Sequence, residues 1–482
     1  MPMNRRSQRM ADEIIIGLEI HCQLNTASKL FCGCSTDFRD DAPNTHTCPI
    51  CLGLPGTMPM LNKKAIEFAL LVAKALHCEV LDECEFARKN YFYPDLNKAY
   101  QITQYDKPLA EGGNLIIEGD NGERKIRITR IHLEEDPGRS VHMGSQDRAR
   151  YTLVDYNRSG IPLIEIVTEP DLRSPKEARR FLNKMRATLE YLNVFDSEAE
   201  GSLRVDANIS IKGSNRVEVK NISSYKGVEK ALLFEITRQK NAIRRGLKVE
   251  RETRHFLETR GVTTSSRSKE EENDYRYFPE PDLLPLRVRS WIDAIELPEL
   301  PDARRERFIK QYACSVEHAK TLTGSIRIAE FFEKVASIDH TLASTWTADY
   351  LLGELNYRGM SIDVVPPDIF RDLLSHLKNE SITDKSGVEV MRIILDKIAH
   401  KEPIETPTAC ITRLGLGKTG EGEITGMVKD VLDENQSAVQ DYRTGKNEAL
   451  NYLVGQVMKK CRGRADPAQL NRLLIELLAK KE

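Results

Sequence analysis

Glu19 and His21 lie two residues apart in the alternating run from Glu13 to Asn25. On a strand their side chains leave the backbone on the same face. A carboxylate beside an imidazole suits a divalent cation, although an ordinary polar strand face carries the same pair. Two further acidic segments weight the reading toward metal. His132-Leu133-Glu134-Glu135-Asp136 sets three consecutive carboxylates at a strand end, before Pro137-Gly138. Leu163-Ile164-Glu165-Ile166-Val167 puts a carboxylate inside an apolar strand, where burial requires a basic partner or a metal. Arg158, Arg139 and Lys220 are the candidate basic partners. Glu169 shares the parity of Glu165 but stands two pleats away, too far to bind the same ion easily.

Cys32-Gly33-Cys34 and Cys48-Pro49-Ile50-Cys51 form a second constellation. Two close thiolate pairs on tight turns can close a tetrahedron around zinc, and four thiolates make such a site structural. His46 could replace one thiolate, and four unrelated buried thiols are the bland alternative. Other signatures are missing. No Gly-x-Ser-x-Gly elbow or Gly/Ser-rich amidase signature occurs, and Cys314 and Cys410 lack an evident base. Gly417-Lys418-Thr419 resembles the end of a phosphate loop, but Thr412 stands where that loop needs glycine. No Gly-x-Gly-x-x-Gly opens a helix after a strand. An ATP site here is therefore of neither the P-loop nor the Rossmann kind, and ammonia for any amide chemistry must come from elsewhere.

The elements that must hold these groups follow from periodicity. Ile14, Ile16, Leu18, Ile20, Cys22 and Leu24 share one parity, and Gly17, Glu19, His21 and Gln23 the other, which predicts a half-buried strand. Ile66, Leu70, Ala73 and Leu76 predict a helix from Asn62 to Val80. Ser174, Pro175 and Glu177 make a capping box that opens a second helix, with Phe181, Met185, Leu189 and Leu192 as its buried face. Leu203 to Ser223 reads as a hairpin about Gly213-Ser214-Asn215, offering Asp206, Asn208, Glu218 and Lys220 on its polar side. About the first 290 residues are thus strand-rich α/β in pattern. Leu297 to Asp302 marks a boundary, beyond which the chain turns helical. The Gly-rich passage 414–423 reads as a flexible linker and a second boundary, followed by short helices.

The 482 residues suggest two to four domains, and a 40% apolar content is enough for sizeable cores. Lys+Arg 71 against Asp+Glu 73 leaves a net charge of -2, which excludes a chain-wide basic field. Asp441 to Glu482 holds nine Lys/Arg against five Asp/Glu, a local +4 and a first place to look for nucleic-acid contact. No apolar run is long enough to span a bilayer. The segment 1–13 carries three arginines but no apolar stretch and reads as a frayed terminus rather than a secretory signal. A cytoplasmic location and reduced thiols at the ten cysteines are expected.

Long ordered blocks resemble the GatB family of tRNA-dependent amidotransferase subunits. They are IIIGLEIHCQL at 14–24, CPICLGLPG at 48–56, KNYFYPDLNKAYQITQYD at 89–106 and IHLEEDPGR at 131–139. VDYNRSGIPLIEIVTEPDLRSPKEA at 154–178, EGSLRVDANISI at 200–211, VEVKNISS at 217–224, DYRYFPEPDLLPL at 274–286 and the tail run 435–459 complete them. The resemblance implies an enzyme that turns misacylated Glu-tRNA(Gln) or Asp-tRNA(Asn) into Gln-tRNA(Gln) or Asn-tRNA(Asn). ATP phosphorylates the side-chain carboxylate, and ammonia from a glutaminase partner displaces phosphate. It implies a heterotrimer with an A subunit and a small C subunit, and no membrane. Glu19, His21, Glu134 and Glu165 are implied as the catalytic Mg²⁺ site, with Mn²⁺ or a water-mediated His21 contact allowed because Mg²⁺ prefers oxygen. Asp206 and Lys220 are added as cofactor-binding, and Cys32, Cys34, Cys48 and Cys51 are implied zinc ligands.

The implied fold is α+β. A mixed or antiparallel-sheet cradle with a four-cysteine zinc site spans 1–295, with its knuckle at 32–51. A helical domain spans 296–413, and a linker with a tRNA-binding tail spans 414–482. Asn97 and Pro137 depart from the family's commoner Pro and Ala without removing a ligand. The related GatE subunits carry an inserted domain for which this chain has no room. The competing class is a zinc-stabilised tRNA-binding adaptor without chemistry, which the clustered carboxylates argue against.

Overall fold

Ile16, Leu18, Ile20 and Cys22 of strand β1 (Ile14–Gln23) are at most 1% exposed, so the alternating run buries the parity that periodicity assigns to it. The computed structural model describes residues 13–143, 150–197, 199, 201–268, 275–418, 421–461, 465 and 467–479. The basic segment 1–12, Asp274, Thr419, and Arg462, Arg464, Lys480 and Lys481 of the tail lie outside them. The chain divides at Leu300–Pro301 into two compact units.

In the first unit β1 is followed by β2 (Glu79–Val80), β3 (Ala87–Asn90), β4 (Tyr100–Thr103), β5 (Ala110–Gly119) and β6 (Gly122–Glu135). Next come β7 (Arg139–His142), β8 (Thr152–Asp155), β9 (Pro162–Thr168), β10 (Leu203–Ile211) and β11 (Val217–Ile222). β12 (Glu252–Leu257), β13 (Val262–Ser268) and β14 (Phe278–Pro279) complete the set. Nine of these strands form one sheet in the order β13-β12-β11-β10-β1-β9-β6-β5-β2. Its pairs are antiparallel except β11 with β12. The fold is thus α+β with a mixed sheet. β14-β3-β4 make a smaller sheet and β7-β8 a ribbon.

Helices α1 (Lys63–Ala75), α2 (Pro175–Tyr191) and α3 (Tyr225–Arg244) share one apolar cluster with the large sheet. Leu70, Phe181, Met185 and Leu232 meet Ile16, Ile20, Ile164 and Ile209 there. The residues of opposite parity are left on the other face of the sheet. α1 is shorter than its periodicity predicts. Asn62 caps it through Lys64 N at 2.9 Å, but His77 takes φ 57°, and Glu79–Val80 leaves to pair with β5. The Ser174 box forms with a shift. Ser174 Oγ accepts from Glu177 N, while the Glu177 carboxylate accepts from Arg173 N and Arg124 Nε.

The acidic run at the end of β6 splits three ways. Glu134 points to the polar face. Glu135 pairs with Lys98 and accepts from Ile102 N at 2.9 Å. Asp136, 1% exposed, accepts from Gln23 Nε2 and Arg204 Nη2, both at 2.6 Å, with Arg158 Nε at 3.8 Å. Burial opposes its charge, but Arg204 and Arg158 hold the carboxyl below its usual range. Asp136 thereby ties the ends of β6, β1 and β10. The turn beyond it is as tight: a Cβ on Gly138 would meet Tyr156 Cδ1 at 2.9 Å and Asp95 O at 3.0 Å.

Beyond Pro301 the described elements are helical, from Pro301–Tyr312 to Pro407–Leu414. The passage 414–423 is less of a linker than its glycines suggest. Gly415 at φ 62° ends a helix, Lys418 pairs with Glu380 at 2.9 Å, and a helix resumes at Glu421. Helices Glu421–Glu434, Gln436–Arg443, Glu448–Lys460 and Pro467–Ala479 enclose their own apolar cluster, including Val428, Leu453, Val457 and Leu474. Among the described residues no helix is long and apolar enough to cross a membrane.

Replacing Asp136 by Ala leaves two arginines without their buried partner, and the first unit is expected to lose ~3–5 kcal/mol. Urea unfolding of the variant checks this; a loss below ~1 kcal/mol would show that the strand ends do not depend on the clamp.

Candidate metal centre

Antiparallel register aligns residues that are far apart in sequence. Arg204 faces His21, His21 faces Glu165, and Glu165 faces His132, in one row across β10, β1, β9 and β6. Directly opposed residues project on the same side of a sheet, so the row stands on the polar face. Glu134 joins it two residues along β6. His21 Nε2 lies 3.5 Å from Glu165 Oε2 and 3.8 Å from Glu134 Oε1. His132 Nε2 lies 3.1 Å from Glu165 Oε2 and 3.7 Å from Glu134 Oε2. Thr103 Oγ1 donates to Glu134 Oε2 at 3.2 Å.

The charges support one another. Burial works against charging His21, but its hydrogen bond to Glu165 and the charges of Glu165 and Glu134 outweigh it and lift the ring to about 9. His132 rises for the same reasons. Burial would raise both carboxyls, yet the two imidazoles hold Glu134 below its usual range and Glu165 well below it. The imidazoles and the carboxylates thus favour one another's charged forms, and a divalent cation would offset the same two carboxylates. One ligand atom each from His21, Glu134 and Glu165 falls within 4.8 Å of the others. The donor set fits a cation that accepts both nitrogen and oxygen; Mn²⁺ suits it at least as well as Mg²⁺.

Glu19 is not in that trio. It lies in the next row, opposite Asp206, and its Oε1 accepts from Asn208 Nδ2 at 2.8 Å. Burial, then Glu165, Asp206 and Glu218, raise its carboxyl. Asp206 sits where the register of β10 with β11 shifts. Lys220 Nζ lies 3.4 Å from Asp206 Oδ2 and 3.7 Å from Glu218 Oε1. Burial opposes the Lys220 charge, but these carboxylates raise its pKa. Lys220 thus serves the second row, Arg158 serves Asp136, and Arg139 is exposed. The partners of Glu165 are instead the two histidines.

His132 and Lys89 are members that sequence reading overlooks. His132 precedes Glu134 by two, the spacing that drew notice to Glu19 and His21. Lys89 sits on the four-residue β3, too short for a period. Burial disfavours its charge, but Glu134 chiefly raises it, and its ammonium lies 4.7 Å from the Tyr275 ring centre.

A second centre gathers Cys32, Cys34, Cys48 and Cys51, whose sulfurs all lie within 4.8 Å of one another. A zinc tetrahedron with ~2.3 Å bonds has S···S edges of ~3.8 Å, so the cage needs only slight contraction. His46 is drawn off to Asp41 at 2.6 Å, which favours the four-sulfur set. Lys29, 0% exposed, lies 3.7 Å from Cys51 Sγ and donates to His46 O at 2.8 Å. The hydrogen bond from Cys32, backbone donation from Cys48 and Lys29 outweigh burial and pull Cys51 down to about 5. Gly160 takes φ +87°, and a Cβ there would meet Lys29 at 3.4 Å and Cys51 at 3.6 Å. Asn97 Nδ2 donates to Cys51 O at 2.5 Å and its Oδ1 accepts from Ser159, so this departure stitches the knuckle to the loop before β9. All ten cysteines are free.

Comparison with known proteins gives a consistent picture. Residues 14–293 match the family model of the GatB/GatE catalytic domain, and 330–478 that of the GatB domain. The chain is 75% identical to the aspartyl/glutamyl-tRNA(Asn/Gln) amidotransferase B subunit of Methanospirillum hungatei, over 97% of this chain and 99% of that protein. It is 69% identical to the Methanoregula boonei protein of the same name and 54% to that of Methanococcoides burtonii, each over 97% of this chain and 98% of the relative.

Metal analysis of the full chain purified under reducing conditions is expected to return about one equivalent of thiolate-bound metal. Cys48→Ser with Cys51→Ser should remove it and lower the melting temperature. A parent chain free of such metal would exclude the cysteine centre.

Proposed function

The chain belongs to the GatB family of tRNA-dependent amidotransferase subunits, and on that premise we propose that its row of histidines and glutamates is where ATP activates the substrate carboxylate. The reaction converts glutamate or aspartate, esterified to tRNA(Gln) or tRNA(Asn), into glutamine or asparagine. A free carboxylate resists ammonia because oxide would have to leave. Transfer of a phosphoryl group from ATP to a side-chain oxygen forms an acyl phosphate, and ammonia attacking its carbonyl carbon expels phosphate.

The residues divide these tasks. Glu134, Glu165 and His21 would hold Mg²⁺ or Mn²⁺, with His132 against Glu165 and Glu19 one row away. When bound, the cation offsets charge on the phosphates and lets two anions approach. Lys220, with Asp206, supplies a fixed positive charge beside the same face and is read as part of the nucleotide site. Thr103 holds one Glu134 oxygen and so orients the carboxylate. The four cysteines would hold Zn²⁺ as a structural clasp, away from the reacting atoms.

The observation that carries this reading is the convergence of His21, Glu134 and Glu165 within 4.8 Å on a buried sheet face. A tRNA-binding adaptor gains nothing from carboxylates there, because they repel phosphate. Ammonia is assigned to an A subunit that hydrolyses glutamine, with a small C subunit completing a heterotrimer in the cytoplasm. Residues 414–482 are assigned to tRNA binding, supported by their own apolar cluster and by the excess of basic residues within 441–482.

Glu134→Gln and Glu165→Gln are each expected to lower ATP cleavage driven by misacylated tRNA at least about a thousandfold, with tRNA affinity near that of the parent. Unchanged transamidation from added ammonia would sink the assignment. Deletion of 424–482 should weaken tRNA binding by about tenfold or more while the first unit stays folded. Gel-shift titration and thermal melting measure the two halves of that statement, and undiminished affinity would remove the tail's role.

A further inference from the structure

Next to the histidine–glutamate row stands a set of aromatic rings. Tyr105 and Tyr277 stack with centroids 4.0 Å apart and planes 1° from parallel. Tyr277 meets Tyr275 edge-on at 6.0 Å, and Tyr275 meets Tyr91 edge-on at 5.9 Å. All four tyrosines are partly buried rather than sealed in the core. They come from distant parts of the chain: the end of β3, the loop after β4, and the stretch leading into β14. Asn90 Nδ2 donates to Arg276 O at 2.8 Å and pins Tyr275 and Tyr277 to β3. Arg276 between them takes φ 47°, a left-handed bend uncommon outside glycine.

The ring set runs up to the carboxylates. Thr103, two residues before Tyr105, donates to Glu134. Burial, then the charge of Glu134, raises the Tyr277 hydroxyl, so that ring lies within the field of the site. The Lys89 ammonium lies 4.7 Å from the Tyr275 centroid and 5.8 Å from that of Tyr91, giving the rings a cation.

The substrate's chemistry says what should lie here. Its amino acid is esterified to the ribose at the unpaired 3′ end of a tRNA, so the last bases must come close whenever the side chain reaches Glu134 and Glu165. Unpaired bases bind proteins by stacking on aromatic rings flanked by positive charge. A lone adenine, as in ATP, covers one ring, whereas contiguous rings suit successive bases. We propose that Tyr91, Tyr105, Tyr275 and Tyr277 form the stacking surface for the unpaired 3′-terminal bases of the tRNA, with Lys89 supplying positive charge beside them. The proposal rests on the reading that the carboxylate row is the reaction site.

Binding without chemistry tests it. Full-length chain is titrated with deacylated tRNA, intact or lacking its unpaired 3′ end, in the absence of ATP. Tyr105→Ala and Tyr277→Ala are each expected to weaken intact tRNA about five- to tenfold, Tyr→Phe to leave it within about twofold, and neither to weaken truncated tRNA further. Equal losses for both RNAs, or no loss, overturn the proposal. A second measurement on the unaltered chain does not depend on the variants folding. Photo-crosslinking with tRNA ending in azidoadenosine should label residues 87–106 or 275–279. Labelling confined to other segments, or labelling of these tyrosines by azido-ATP and not by the tRNA, overturns it. Since no step needs phosphoryl transfer, failure of the metal-site reading leaves these results standing, and the reverse also holds.

Discussion

Two carboxylates buried side by side cannot both stay ionised unless positive charge is built in with them. Glu134 and Glu165 approach the same nitrogen of His21, and His132 closes the group from β6. Much of the first unit can be understood as the means of holding this arrangement. Its members come from three neighbouring strands whose order in the sheet is unrelated to their order in the chain. A slip of one residue in either pairing of β9 would turn Glu165 into the apolar cluster and face the histidines with Ile164 or Ile166.

Several devices keep the register from slipping. The opposite face is locked by α1, α2 and α3 packing on a dense apolar layer. The strand ends are tied by Asp136, whose two arginines and one glutamine come from the loop before β9, from β10 and from β1. Past that clamp, Gly138 and Gly160 allow close passes that a Cβ would obstruct or strain. The cysteine knuckle lies against the same loop through Lys29, Asn97 and Gly160. A metal there would stiffen the strand ends without taking part in the reaction.

Several features are legible in the sequence alone. The alternation in β1, the Ser174 cap, the hairpin of β10 and β11 and the four-cysteine spacing are local patterns, set by residues within a few positions of one another. A local pattern misleads where it meets a distant partner. The helix beginning after Asn62 loses its last turn because Glu79–Val80 is captured by β5. The three carboxylates 134–136 look equivalent in sequence, but the pleat sends Glu135 to Lys98, and Asp136 is taken by strand-end arginines. His132 shared the spacing that singled out His21, yet a histidine before an acidic run has no distinguishing mark of its own. The tyrosines at 91, 105, 275 and 277 carry no period, and only folding makes them neighbours.

By itself the sequence determined which side chains share a face, because a strand's period of two is a property of the backbone and needs no partner. It also determined that Glu165 must find a positive charge, because an apolar strand cannot bury an ionised carboxylate alone. What the sequence left open was the identity of that partner, and the candidates Arg139, Arg158 and Lys220 are not it. Tertiary structure chose His21 and His132, because pairing across a sheet is set by strand order and register. The same pairing put Glu19, which shares a face of β1 with His21, one row away against Asp206 and Asn208.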